Sequence, residues 1–168
     1  NDAIDLMGSN VYIKDSLLKN SKDKGVSVGE GSKVLIRNSG IKKNLIGVQA
    51  KDGSVAHVIG SDFVDNSIQF SAYSKNWRYN DGGSIIVNSS NITSSDSVNK
   101  NTIKKGSRLV INNSYLSPRV NDKSKRISIF RSQMNVKVDK IKSLNAQEIL
   151  LIDYWDKGLE SGGNSYVR

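Results

Sequence analysis

The chain has 168 residues, a formal net charge of +9 and a pI near 9.7, with no cysteine, one histidine and one proline. The length suffices for one domain with a real core. The lack of cysteine excludes disulfides and thiolate metal sites within it, and no run reaches the roughly 18 apolar residues that a membrane-spanning helix needs. The basic balance favours anionic partners, yet Lys42-Lys43, Lys104-Lys105 and the Lys123 to Arg126 cluster lie apart. Scattered charge without a recognition motif argues against nucleic acid as the partner.

Residues 1–23 open with the alternating run Ala3 to Leu6, pass through Gly8-Ser9 and continue as Val11, Tyr12 and Ile13. That start inside a strand, with no signal-like segment before it, predicts a piece of a longer chain. The same phrase then returns. Residues 24–46 read GVSVGEGSKVLIRNSGIKKNLI after Lys24, and residues 47–68 begin GVQAKDGSVAHVIGS, so that Ser54 follows Ser32 by about 22 residues. Setting Ser9, Ser32, Ser54, Gly83 and Ser107 above one another aligns four further columns. Two residues on stand Val11, Val34, Ala56, Ile85 and Leu109; four on, Ile13, Ile36, Val58, Val87 and Ile111. Seven on, every copy has serine (Ser16, Ser39, Ser61, Ser90, Ser114), and nine on stand Leu18, Ile41, Phe63, Ile92 and Leu116. A second ladder precedes each anchor: Ile4, Val26, Val48 and Phe70, with Leu6, Val28, Ala50 and Ala72 two residues later.

Residues two apart on a strand share a face, and these short runs are rich in β-branched residues. No hairpin signal joins them. Each repeat therefore holds two or three short strands, and successive repeats stack in parallel. The expected architecture is all-β: a right-handed parallel β-helix with rungs of about 22 residues, about 4.8 Å apart. The serine column predicts an inward polar ladder, each hydroxyl bonding the next or a nearby carbonyl. Its role is structural rather than catalytic. The Asn-rich turns suit corners that need left-handed backbone.

From Gln69 the next rung departs at one place, where Tyr73 to Asp81 replaces the two-residue turns Gly29-Glu30 and Lys51-Asp52. The excess must bulge from a corner as a loop, where binding residues concentrate. Thr93 to Lys105 is a polar reset with a short strand around Thr102-Ile103, and Pro118 to Lys125 is a second excursion before Ile127-Ser128-Ile129. Regular rungs are expected over 2–116 and irregular terminal rungs over 117–168. Glu148 to Trp155 would cover the C-terminal edge, and Gly158 to Arg168 would be a loose tail, the whole forming a single domain.

Two surfaces stand out. Three residues after each anchor the outward positions are Tyr12, Leu35, His57, Ile86 and Val110. An apolar stripe on an outer strand face implies a cover, from another domain, a neighbouring chain or a loop. The second surface is the outward column Asp5, Ser27, Gln49, Ser71 with Lys24, Lys51 and Tyr73 beside it, and the inserted Lys75, Trp77, Arg78 and Tyr79 above. Aromatic faces stack on sugar rings, and Lys or Arg neutralises carboxylate or sulfate. Ligand contact is expected at Lys24, Lys51, Tyr73, Lys75, Trp77, Arg78 and Tyr79. Glu30 and Asp52, one rung apart, meet the short carboxylate spacing of glycoside hydrolysis, but they stand in a turn column where acids commonly cap, so they define no active site. His57 has no second histidine and no carboxylate neighbour in sequence, so it reads as packed rather than catalytic. No cofactor motif occurs and no tight acidic cluster suits a metal.

The segments DAIDL, DKGVSVGEGS and IGVQAKDGS, with the SAY and NWRY stretch that follows, resemble right-handed parallel β-helix repeat proteins of the carbohydrate-binding and sugar-hydrolase type. That group includes pectate lyase-like folds, polygalacturonases, alginate epimerases and phage tailspikes. The resemblance covers about Asp2 to Leu116 and implies a bacterial or phage protein that is extracellular or at a cell surface. It also implies recognition of a polysaccharide, here an acidic one. Polygalacturonase-like paired aspartates are missing from the outward column, where only Asp5 is acidic, so that catalytic set does not carry over. A polysaccharide lyase centred on Lys24, Lys51, Tyr73, Lys75 and Arg78 is the enzymatic alternative, and a structural stalk is the third.

Overall fold

The computed structural model describes residues 1–79, 81–120, 125–130, 132–134 and 165–167. These form three parallel sheets that stack as a β-solenoid. The first sheet runs β1 (Ile4–Met7), β4 (Lys24–Gly29), β7 (Ile46–Lys51), β10 (Ile68–Tyr73) and β13 (Asn101–Ile103). The second runs β2 (Asn10–Lys14), β5 (Lys33–Arg37), β8 (Val55–Ile59), β11 (Ser84–Asn88), β14 (Arg108–Asn112) and β16 (Ile127–Phe130). The third runs β3 (Leu17–Lys19), β6 (Gly40–Lys42), β9 (Asp62–Val64), β12 (Asn91–Thr93), β15 (Tyr115–Ser117) and β17 (Gln133–Met134). The expected short strand at Thr102-Ile103 is β13. A last strand, β18 (Ser165–Val167), pairs in parallel with β2 at the opposite end of the second sheet, where the sequence suggested a loose tail. The apolar run Glu148 to Trp155 and the alternating Val136 and Val138 lie outside the described residues.

Every column expected from the repeat is a pairing column. Val26 faces Val48 and Phe70; Val34 faces Ala56 and Ile85; Ile41 faces Phe63 and Ile92. These inward side chains make one continuous buried core, and almost none of them retains accessible surface. Large and small residues alternate within a rung, so that its volume is kept. Phe63 shares its rung with Ala50 and Ala56, while Phe70 shares the next with Ala72. The two rings meet at 4.6 Å with their planes tilted by 53°.

Corners are where a solenoid strands its backbone polar groups, and two ladders satisfy them. At the corner between the second and third sheets the serines stack. Ser16 N–H donates to Ser39 Oγ, Ser39 N–H to Ser61 Oγ, Ser61 N–H to Ser90 Oγ, and Ser90 N–H to Ser114 Oγ, all at 3.1–3.2 Å. Each hydroxyl in turn donates to the carbonyl two residues back, as Ser39 does to Arg37 and Ser90 to Asn88, both at 2.8 Å. The expected ladder is present, but its rails are backbone amides rather than hydroxyl chains. The hydroxyl serves each corner as both acceptor and donor.

The ladder also reveals a sixth copy. Ser114 N–H donates to Ser132 Oγ at 3.2 Å across a step of 18 residues, where earlier steps are 23, 22, 29 and 24. Ile127, Ile129 and Met134 then fall opposite Leu109, Ile111 and Leu116. The short step and an anchor at Lys125 instead of Gly or Ser hide this copy from a fixed-period reading.

The second ladder, inside the corner between the third and first sheets, is made of amides. Ser21 N–H donates to Asn44 Oδ1 at 2.9 Å and Asn44 N–H to Asn66 Oδ1 at 3.0 Å. Asn66 Nδ2 bonds Gln69 Oε1 at 2.8 Å, and Gln69 Nε2 reaches Asn99 Oδ1 at 3.3 Å. Gln69 stands in the column of Gly25 and Gly47. A Cβ on Gly47 would lie 2.6 Å from the carbonyl oxygen of Gln69, so the rung below leaves no room for a side chain there. The turn residues Asp15, Asn20, Asn38, Lys43, Asp52 and Asp65 have positive φ between 48° and 59°, as expected of sharp corners.

Replacing Ser61 with alanine strands a buried N–H (Ser39) and a carbonyl (Ile59) at mid-stack. The expected cost is about 1–3 kcal/mol, read as a lower urea midpoint with unchanged slope. The equivalent change at Ser16, at the open end of the ladder, is expected to cost less than half as much.

Candidate functional site

Pairing register builds the site from the ends of the first sheet's strands. Met7 lies opposite Gly29, and Lys51 opposite Tyr73. The Lys51 stem packs over Gly29, where a Cβ would come within 2.5 Å of its Cε. One rung on, Lys104 Nζ sits 5.4 Å from the centre of the Tyr73 ring. After Tyr73 the inserted segment leaves the corner and presents Lys75, Trp77, Arg78 and Tyr79 to solvent. Trp77 is 85 % exposed, and the Arg78 guanidinium is 5.8 Å from its ring centre. Such cation–π pairs hold a charge and an aromatic face side by side.

The structure thus gathers Lys51, Tyr73, Lys75, Trp77, Arg78 and Tyr79 at one corner, and it adds Lys104. That residue was legible in principle, since it follows Ile103 as Lys51 follows Ala50 and Tyr73 follows Ala72. Lys24 is not part of the group. It begins β4, opposite Ile46, about 16 Å of extended chain from Gly29. Its Nζ is 3.3 Å from Asp2 Oδ1 and 2.5 Å from Asp23 Oδ2. Partial burial works against its charge, but the two carboxylates outweigh it, so the Lys24 pKa is raised. The hydrogen bond from Lys24 in turn lowers that of Asp23. Lys24 serves an ion-paired end of the sheet and not the corner.

The floor of the expected groove is closed. Ser27 has no exposed surface although its strand neighbours two positions away are Gly25 and Gly29; Gln49 and Ser71 are each 4 % exposed. This column is therefore not an open surface. Gln49 Nε2 donates to Ser71 Oγ at 3.4 Å, while Ser27 Oγ and Gln49 Oε1 have no partner.

Asp52, which with Glu30 has the one-rung spacing that glycoside hydrolysis needs but stands in a turn column, is 1 % exposed and engaged in the fold. Its Oδ1 accepts the N–H groups of Lys75 at 2.6 Å and Asn76 at 2.8 Å. A carboxylate already bound in this way leaves no acid–base pair at the corner. Among the described residues, no three His, Asp or Glu side chains group as a metal site.

The apolar stripe lies on the outer face of the second sheet, where Tyr12, Leu35, His57, Ile86 and Val110 are paired in register. Leu35 is fully buried and Tyr12 is 8 % exposed, though neither belongs to the inner core. At this end the stripe has little or no exposed surface, so an outer partner would meet its other end. His57, Ile86 and Val110 are half-buried. His57 Nδ1 is buried without a partner. Burial first, then the positive charges of Arg108 and Lys33, push the His57 pKa below 6.5.

No protein-family model, curated protein or solved structure matches this chain.

His57 is the one histidine of the chain, which makes its titration separable. Its folded pKa is depressed, so the unfolded state binds the proton more readily. Stability from the neutral ring is fully present above about pH 6.5 and is lost as pH falls through the lower folded value. Urea unfolding between pH 7.5 and 5.5 should show this loss. In His57→Leu, which suits the stripe, the fall should be smaller; an identical fall would remove His57 as its source.

Proposed function

We propose that this β-solenoid recognises an acidic polysaccharide as a module of a secreted or surface-associated protein, with the ligand held at the corner built by Lys51, Tyr73, Lys104 and the inserted segment. One observation carries this reading: an indole held open to solvent on a segment tied down by two hydrogen bonds, with a guanidinium beside it. Exposing a tryptophan to water has no benefit for the fold, whereas its flat face suits the apolar face of a sugar ring. Lys51, Lys75, Arg78 and Lys104 supply charge for carboxylate or sulfate groups, and among the described residues none of them is in an ion pair.

A lyase reading needs a base and charge neutralisation around one uronate. The residues named for it do not form one set, because Lys24 is at the far end of the strand and ion-paired. Binding without turnover is the better fit to the corner.

The test is retention on a panel of carboxylated and sulfated polysaccharides, with ultraviolet absorbance followed for unsaturated uronate. Retention without absorbance change is expected. It should weaken at least about tenfold in Trp77→Ala, in line with about 1.5–3 kcal/mol for a large aromatic side chain removed from a contact. It should also fall with added salt. Rising absorbance would replace the proposal with the lyase, and no retention on any acidic polymer would end it.

A further inference from the structure

We infer that Asp52 is the positioning residue of the inserted segment: its buried carboxylate, and not any contact made by the exposed side chains, sets the conformation in which Trp77 and Arg78 are presented. The inference deepens the proposed glycan reading, on which its binding arm rests.

Asp52 is the second residue of a corner turn, at φ 56°, and its equivalent one rung earlier is Glu30, also at φ 56°. Glu30 is partly exposed, but Asp52 retains only 1 % of its surface. What buries it is bonded to it. The insertion folds back so that the consecutive N–H groups of Lys75 and Asn76 both point at Asp52 Oδ1. Two backbone amides on one carboxylate oxygen form a small anion nest. Charge-assisted bonds of this kind are about twice as strong as neutral ones.

The segment's own bonds continue from that point. Asn76 Oδ1 accepts the N–H of Arg78 at 3.1 Å, and the Asn76 carbonyl accepts the N–H of Tyr79 at 3.1 Å. Asn76 is thus tied to the solenoid on one side and closes a turn around Trp77 on the other. Trp77 itself, 85 % exposed, contributes little packing to hold the segment in place. The insertion's far end is held by a neutral bond, Gly53 N–H to the Asp81 carbonyl at 3.0 Å, so among the described residues the charge-assisted link to the scaffold at Lys75 and Asn76 is the Asp52 carboxylate. Its backbone belongs to the solenoid: Asp52 N–H donates to the Tyr73 carbonyl at 3.3 Å, and Asp52's own carbonyl accepts the Gly31 N–H at 2.9 Å.

Asp52→Gly tests this cleanly, because glycine adopts positive φ without strain and removes only the carboxylate. Hydrogen exchange at the amides of Lys75 and Asn76 should quicken about tenfold or more, tryptic cleavage after Lys75 and Arg78 should rise, and the amides of β7 and β8 should keep their protection. Asp52→Asn, which keeps an acceptor oxygen and tolerates the same backbone, should restore much of that protection. Lys75→Pro removes one donor from the segment without touching the solenoid, and it should loosen the segment even if the Asp52 variants fold poorly. On acidic polysaccharide, Asp52→Gly should weaken retention as Trp77→Ala does, and the double variant should be no weaker than Trp77→Ala alone. Unchanged protection of Lys75 and Asn76 in Asp52→Gly, together with unchanged protection of Asn76 in Lys75→Pro, would overturn the inference. A loosened segment with undiminished retention would leave the anchor standing and count against the glycan reading.

Discussion

Parallel stacking in register is the constraint on which the rest of this structure depends. Each rung can bury its inward side chains only against the rungs above and below, and each strand can complete its hydrogen bonds only with the same strand one turn away. A residue is therefore matched to its column rather than to its sequence neighbours. Strand columns accept any apolar side chain of suitable volume, which is why Val, Ile, Leu, Phe and Ala replace one another along them. Corner columns are far less tolerant. A turn leaves N–H and carbonyl groups without strand partners, and burying them unpaired is costly. The invariant serines and the Asn44, Asn66, Gln69, Asn99 network meet that demand from inside.

The same constraint explains where the chain can vary. The inserted segment enters at the end of β10 and the chain returns at Gly83, in step with its neighbours. Its excess length bulges outward, so no strand loses its partner. Re-entry demands a residue without a side chain, since a Cβ at Gly83 would lie 2.1 Å from the Ala50 carbonyl oxygen. The scaffold then ties the excursion down through a turn residue, Asp52, that its neighbours on other rungs also carry as an acid or leave as a plain turn. A rigid core with one anchored loop separates stability from recognition, since changes at Trp77 or Arg78 do not reach the stack.

Charge and apolar surface divide between two sides of the solenoid. The corner between the first and second sheets collects lysine and arginine around exposed rings, while the outer face of the second sheet carries Tyr12 and Leu35 with little or no access to water and a half-buried His57. One end of that stripe, at Tyr12 and Leu35, is buried, while His57, Ile86 and Val110 keep part of their surface. The buried, unpaired Nδ1 of His57 ties that face to pH.

The parallel all-β stack, the strand columns and the serine ladder are legible in the residues alone, because in-register stacking writes each column into the chain at nearly constant spacing. The insertion is legible for the same reason: Tyr73 to Asp81 interrupts a frame that resumes unchanged. Ser21, Asn44 and Asn66 keep the repeat's step, but Gln69 and Asn99, which complete the amide ladder, do not, and the step of 18 residues before the sixth copy makes it legible only as an irregular terminal rung. That Ser27, Gln49 and Ser71 are covered, and that Asp52 is spent on two amides, emerges only from the folded chain. Periodicity fixes which residues share a column and a face. It carries no information on what packs over that face or which backbone group a carboxylate will find, since those depend on chain segments that follow no repeat.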